Sequence, residues 1–252
     1  MPVTASRAIA VVRTLLTHVA VAIYTILVGP PGIALALLLR RPNLLFQAGV
    51  GGAWLMLTVA GVKVRAEGPG RVLVGRAAIY ASNHTSNIEP PVIYLVIRHL
   101  FPRWQIIYKS SLHKLPILGR CFDVGGFVPI DRRDREQSAR AIAQAARQVR
   151  EGNSFSVFVE GTRSRTGALL PFKKGGFILA IEAQAPIVPV AFVGAREVWT
   201  PGSHVIRPGT VCVRLGLPVE TAGLTYDDRD RLMEDVRERI AALQAAGPCR
   251  QG

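Results

Sequence analysis

Residues 14–39 contain no aspartate, glutamate, lysine or arginine, and this run restricts the chain more than any other part of it. A stretch of that length can cross or enter a hydrocarbon layer as a helix. The whole of 1–66 is free of acid: it holds Arg7, Arg13, Arg40, Arg41, Lys63 and Arg65, and the first carboxylate is Glu67. Gly29-Pro30-Pro31-Gly32 interrupts the run, and two adjacent prolines remove donors and bend or stop a helix. The arrangements open to such a segment are a kinked transmembrane helix, a hairpin dipping into one leaflet, a cleaved signal peptide and a buried core helix. The hairpin is preferred, because residues 44–64 form a second mostly apolar stretch that can lie beside the first. Continuation of the run to Leu39, followed by Arg40-Arg41, argues against a signal peptide. Basic residues on both sides fit a segment that enters and leaves at the cytoplasmic face of the cell membrane.

Composition narrows the partners. The chain has 252 residues, 49% of them hydrophobic, with a formal net charge of +14 and a mean hydropathy of +0.28. A cationic excess points to nucleic acid or to an anionic membrane. Aromatic residues are only 7% and do not interleave with basic ones as base-stacking surfaces require, so the expected partner is the bilayer, not nucleic acid. Cys121, Cys212 and Cys249 are far apart and form no Cys-x-x-Cys; they predict neither a disulfide framework nor a thiolate metal site. His18, His84, His99, His113 and His204 offer no ligand-spaced pair on one helix face, and no metal is expected.

From Glu67 onward short strands alternate with helices. Strands are predicted at Val72–Val74, Ile79–Ser82, Trp104–Lys109, Val124–Ile130, Ser154–Glu160, Ile187–Val193 and Val211–Leu217. Helices are predicted at 135–150, Gly175–Ala183 and Tyr226–Ala246. This pattern gives an α/β fold, a largely parallel sheet flanked by helices, preceded by an apolar two-helix membrane anchor. The expected division is 1–66 for the anchor and 67–252 for the α/β domain.

Asn83-His84-Thr85-Ser86-Asn87-Ile88-Glu89 follows one of these strands. Histidine can accept a proton near neutral pH, and a carboxylate on its other ring nitrogen fixes tautomer and orientation. On a continuous helix five residues turn ~500°, so His84 and Glu89 meet only if the chain turns between them. The competing structural reading is a capping box, Ser86-x-x-Glu89, opening a helix at Pro90-Pro91. Lys109, Arg132 and Glu160-Gly161-Thr162-Arg163 close three further strands, where open α/β sheets bind ligands. Lys109, Arg132 and Arg163 would form a cationic site suited to phosphate. Gly161 allows close backbone approach and Thr162 adds a hydroxyl. Pro171-Phe172-Lys173-Lys174-Gly175-Gly176 is another basic edge at a helix start.

Taken together, His84-x4-Glu89, the Lys109…Gly126…Ile130-Asp131-Arg132 block, Phe158-Val159-Glu160-Gly161-Thr162-Arg163-Ser164 and Ile187-Val188-Pro189-Val190 resemble the four blocks of the glycerolipid acyltransferase family, which includes bacterial 1-acylglycerol-3-phosphate acyltransferases. The likeness covers roughly 67–200, and the N-terminal apolar pair is similar to the two-helix anchor of bacterial members. The resemblance implies that His84 is the general base with Glu89 as its partner. It also implies that Lys109, Arg132, Glu160, Gly161, Thr162 and Arg163 bind the glycerol phosphate, and that Pro189 lies near the acyl site. Two positions depart from the pattern: the family usually has aspartate at 89 and proline at 159.

The expected reaction is acyl transfer to a lysophospholipid hydroxyl from acyl-CoA or acyl carrier protein, with no cofactor beyond that donor and no covalent serine or cysteine intermediate. The competing functions are acyl transfer to another lysolipid or to glycerol 3-phosphate, a lipid-binding protein without turnover, and a basic nucleic-acid-binding protein.

Overall fold

The computed structural model describes residues 3–247 and Cys249. Two apolar helices, α1 (Val3–Leu38) and α2 (Pro42–Ala60), form an antiparallel hairpin that turns at Arg40-Arg41. Each is long and apolar enough to cross a membrane. The prolines do not break α1, contrary to the sequence expectation: Pro30 and Pro31 lie inside it. They deprive the carbonyls of Ile26 and Leu27 of their donors, but packing on both sides of the lesion keeps the helix continuous. Tyr24 Oη donates to the Ala48 carbonyl at 2.8 Å, and Gly32 faces Leu45 of α2.

The hairpin runs directly into the sheet. β1 (Val62–Glu67) pairs in parallel with β7 (Gly209–Leu215), so the first strand begins five residues before the expected boundary at Glu67. The seven strands are ordered β1-β7-β6-β2-β5-β3-β4. β2 (Ile79–Ser82), β3 (Trp104–Lys109), β4 (Val128–Ile130), β5 (Ser154–Phe158) and β6 (Ile187–Val193) run parallel, and β7 is antiparallel to β6.

Side chains on successive strand residues point to opposite faces, and each face has its own core. Tyr80, Val188, Val190 and Phe192 face the hairpin and α3 (Glu89–Val96), where Phe46, Leu57, Val92 and Trp104 complete the packing. Ile79, Ala81 and Phe155 face α5 (Arg135–Arg150), α6 (Gly175–Ala183) and α8 (Arg229–Ala245). Burial on both faces explains the unbroken apolar run of β6. α5 starts where the Asp134 carboxylate accepts the Gln137 N–H at 2.9 Å, an N-cap.

One predicted strand is absent and another is shortened. Val72–Val74 follows a short 3-10 turn, Pro69–Arg71, and forms no strand. Of 124–130 only Val128–Ile130 is strand, because α4 (Pro116–Gly125) occupies the segment before it. The cysteine expectation also fails. Cys212 on β7 is joined to Cys249 across 37 residues of sequence, with Cα atoms 5.7 Å apart. α8 carries the C-terminal segment back to the sheet, a return that spacing alone does not reveal.

Candidate active site

β2 ends beside β6, and Asn83 locks that end. Its buried amide donates to the Phe192 carbonyl at 3.1 Å and accepts the Phe192 N–H at 2.7 Å. The chain then turns, and His84 and Glu89 meet: His84 Nδ1 lies 2.6 Å from Glu89 Oε2. The other oxygen, Oε1, accepts the Thr85 N–H at 2.8 Å and the Thr85 hydroxyl at 2.7 Å. Glu89 is wholly buried, while the His84 side chain keeps 17% of its surface exposed. An ionised carboxylate only accepts, so Nδ1 carries the proton toward Glu89 and Nε2 presents its lone pair outward. The Phe158 ring stacks on the imidazole, with centroids 4.0 Å apart.

The capping box does not form. α3 opens with no side-chain cap, and Ser86 Oγ instead accepts the Ile88 N–H at 3.2 Å and donates to the Trp199 carbonyl at 2.8 Å. Glu89 is committed to His84 and Thr85.

Residues 160–164 hold the main chain of His84 at both ends. Glu160 Oε1 accepts the His84 N–H at 2.7 Å, and the Ser164 N–H donates to the His84 carbonyl at 2.7 Å. Glu160 Oε2 accepts the Leu170 N–H at 2.8 Å. The carboxylate is buried, and burial raises its pKa, opposed by these two hydrogen bonds. Glu160 is thus a brace beneath the site, with both oxygens turned to main chain and not toward a substrate-facing surface.

The cations sit at neighbouring strand ends. Lys109 closes β3, in register with Ile130 of β4, two residues before Arg132. Arg132 reaches over to the turn after β5. A Cβ placed on Gly161 would lie 3.8 Å from the Arg132 guanidinium carbon and 2.9 Å from Cγ of Lys173. Gly161 has φ +72°, so both its conformation and this crowding exclude a side chain. Partial desolvation lowers the pKa of Arg132, which still leaves it cationic. Thr162 is exposed and Arg163 half-buried beside it. Among the described residues no carboxylate pairs with Lys109, Arg132, Arg163 or Lys173. Unpaired cations gathered on one edge are what an anionic ligand requires.

Pro189 does not join this cluster. It lies inside β6, level with Ala81, where its carbonyl accepts the Gly216 N–H at 2.7 Å. A central proline is tolerated there because it sits at the break between the regular β6–β7 ladder, Val190 to Val193, and the isolated bridge of Ile187 with Val219. Phe158, Thr85 and Lys173 belong to the site although the sequence did not single them out as site residues. Thr85 and Phe158 stood inside motifs read for their neighbours, and Lys173 in the Lys-Lys-Gly-Gly helix start.

A family model described as Acyltransferase matches residues 63–193. The 1-acyl-sn-glycerol-3-phosphate acyltransferase of Limnanthes douglasii is 31% identical over 82% of this chain and 75% of its own length. The chain belongs to the glycerolipid acyltransferase family. It is an O-acyltransferase. The human 1-acyl-sn-glycerol-3-phosphate acyltransferase beta is 32% identical over 69% of this chain and 62% of its own. The crystal structure of the 1-acyl-sn-glycerophosphate (LPA) acyltransferase from Thermotoga maritima superposes with a TM-score of 0.82, covering 97% of this chain and 99% of that one at 22% identity, a likeness of fold. In this acyltransferase the departure at 159 has a local consequence. The Val159 N–H donates to the Ser82 carbonyl at 3.0 Å, a bond between β2 and β5 that proline could not make.

Proposed function

We propose that the acyltransferase moves a fatty acyl group from an acyl thioester, acyl-CoA or acyl carrier protein, to the free hydroxyl of 1-acylglycerol 3-phosphate, giving phosphatidic acid, with His84 as general base. The observation that carries this reading is the 2.6 Å contact between His84 Nδ1 and Glu89. It aims a basic Nε2 out of a buried, fully hydrogen-bonded support. Nε2 takes the hydroxyl proton as the oxygen attacks the thioester carbonyl carbon. The C–O bond forms, the C–S bond breaks, and the imidazolium returns the proton to the departing thiolate. Glu89 stabilises the transient cation. Lys109, Arg132, Arg163 and Lys173 hold the acceptor phosphate, which turns an encounter into a positioned reaction. The choice of acceptor rests on the names of the relatives.

The hairpin is read as the membrane anchor, at the cytoplasmic face. One flank packs on the domain: Phe46 stacks on Phe101 and Tyr94 at 4.0 and 4.9 Å, and Thr14 Oγ1 accepts the Ile206 N–H at 2.9 Å. The other exposes Val12, Leu15, Ile23, Ile26, Leu27 and Leu38 by more than half, an apolar stripe too large for a water-facing surface. α1 touches the domain both at Thr14 and at Gly29, which faces Ile117 of α4. The hairpin therefore lies along the domain, a geometry that supports entry into one leaflet over a full crossing.

The test is thioester consumption by purified protein in lipid, against a panel of lysolipids. Turnover fastest with 1-acylglycerol 3-phosphate is expected. Absence of thioester loss with every glycerol acceptor, or equal use of phosphate-free lysolipids, would overturn the proposal.

A further inference from the structure

The loop between the Glu160–Arg163 turn and α6 contains neither helix nor strand over residues 165–174, yet it supports the catalytic histidine from below. Its Leu170 N–H holds one oxygen of Glu160, and the other oxygen holds the His84 N–H. The Lys173 N–H ties the end of the loop to the Val159 carbonyl at 2.7 Å. What fixes its middle is a residue far along the chain. Arg237 of α8 donates from Nη1 to the Leu170 carbonyl at 2.8 Å and from Nη2 to the Leu169 carbonyl at 3.2 Å. Its guanidinium also lies over the Phe172 ring, 5.2 Å from the centroid.

α8 is amphipathic, and Leu232, Val236 and Ile240 bury its inner stripe. Arg237 sits at the margin of that stripe, half-buried, where its stem packs and its fork still reaches two carbonyls. A planar fork spans adjacent carbonyls in a way that a single ammonium cannot. Arg237 lies outside the four blocks of sequence that carry the family likeness.

We propose that Arg237 is a positioning residue for His84. Its fork sets the Leu169-Leu170 peptide, that peptide sets Glu160, and Glu160 sets the height of His84 above the strand ends. The inference rests on His84 being the base. The competing view is that Arg237 only staples α8 to the domain, which would lower stability and leave turnover per folded molecule alone.

The experiment measures kcat, both KM values and Tm for the full chain in lipid, in Arg237→Ala, Arg237→Lys, Glu160→Gln and the Arg237→Ala/Glu160→Gln double variant. Arg239→Ala, whose guanidinium pairs with Asp235 elsewhere on α8, is the control. Misplacing a reacting group by a fraction of an ångström predicts a fall in kcat of about 10- to 100-fold for Arg237→Ala. KM for donor and acceptor should stay within about threefold, because Lys173 is tied separately to the Val159 carbonyl and the other cations lie off this loop. Arg237→Lys should recover part of the loss, and it carries the test if the alanine variant does not fold. The double variant should be no slower than Glu160→Gln alone, since both act on one chain of contacts.

Unchanged kcat with a lowered Tm, or losses that multiply in the double variant, would overturn the role of Arg237 while leaving His84 as base. Near-normal turnover in His84→Ala would remove both.

Discussion

The two halves of the site are built on opposite rules. Around His84 the polar groups are paired: Glu89 accepts three hydrogen bonds, Glu160 accepts two, and Asn83 is satisfied on both sides of its amide. Glu89, Glu160 and Asn83 are also buried. Around Gly161 the pattern reverses. Arg132 and Lys173 are exposed and converge without a carboxylate between them. A buried group left unpaired costs about 1–3 kcal/mol, so the first half must be complete before substrate arrives. Exposed cations carry little such penalty and can wait for their partner. On the function proposed above, the first half carries the chemistry and the second the recognition, and each should then fail in its own way.

The largest effect is expected at the base. His84→Ala should lower kcat by ~10²–10⁴-fold, with a moderate fall in Tm because the buried Glu89 Oε2 loses its partner. Activity within twofold of the parent enzyme would merge the two halves into a binding surface without chemistry.

Glu89→Gln should follow, with kcat down on the order of 10²-fold, against ~10⁴-fold for the analogous change in a hydrolase triad. Glutamine keeps the shape but places an amide N–H against either His84 or the Thr85 donors. Glu89→Asp should retain part of the activity, since the charge remains but its reach is one methylene shorter. A glutamine variant with full kcat and a depressed Tm would make Glu89 a purely structural residue.

The recognition half should respond differently. Arg132→Ala or Arg163→Ala should cut kcat/KM by roughly 10- to 100-fold, the equivalent of one charge-assisted hydrogen bond of ~1.5–3 kcal/mol. Lys173→Ala should have a smaller effect of the same kind. With an acceptor that lacks phosphate these losses should vanish. Equal losses with both acceptors would show that the cations hold structure, and the contrast between the halves would collapse.

The smallest effect on chemistry should come from the hairpin. Replacing Leu15, Ile23 and Leu27 by glutamine removes apolar side chains worth ~1.5–3 kcal/mol each when buried in lipid, and should weaken vesicle binding by at least tenfold. Turnover of a short-chain, water-soluble acceptor should be unchanged, because neither half of the site is touched. Unaltered vesicle binding would refute the anchor.

Local pattern in the sequence was enough to place most helices and strands and the acid-free apolar N-terminus; it left the pairing of His84 with Glu89 open against a capping box, and only the family resemblance favoured the pairing. These features depend on residues within a few positions of one another, where periodicity and turn chemistry act. Only the tertiary structure decided what depends on distant partners. Pro30 and Pro31 remain helical because α2 and α4 flank them, and 62–67 is a strand because β7 lies beside it. Pro189 is confined to the sheet, Cys212 meets Cys249 only because α8 returns to β7, and Glu160 turns away from substrate because Leu170 and His84 both claim it. Arg237 reaches the loop beneath the histidine for the same reason: a contact across 67 residues depends on how sheet and helix are stacked, and no local pattern encodes it.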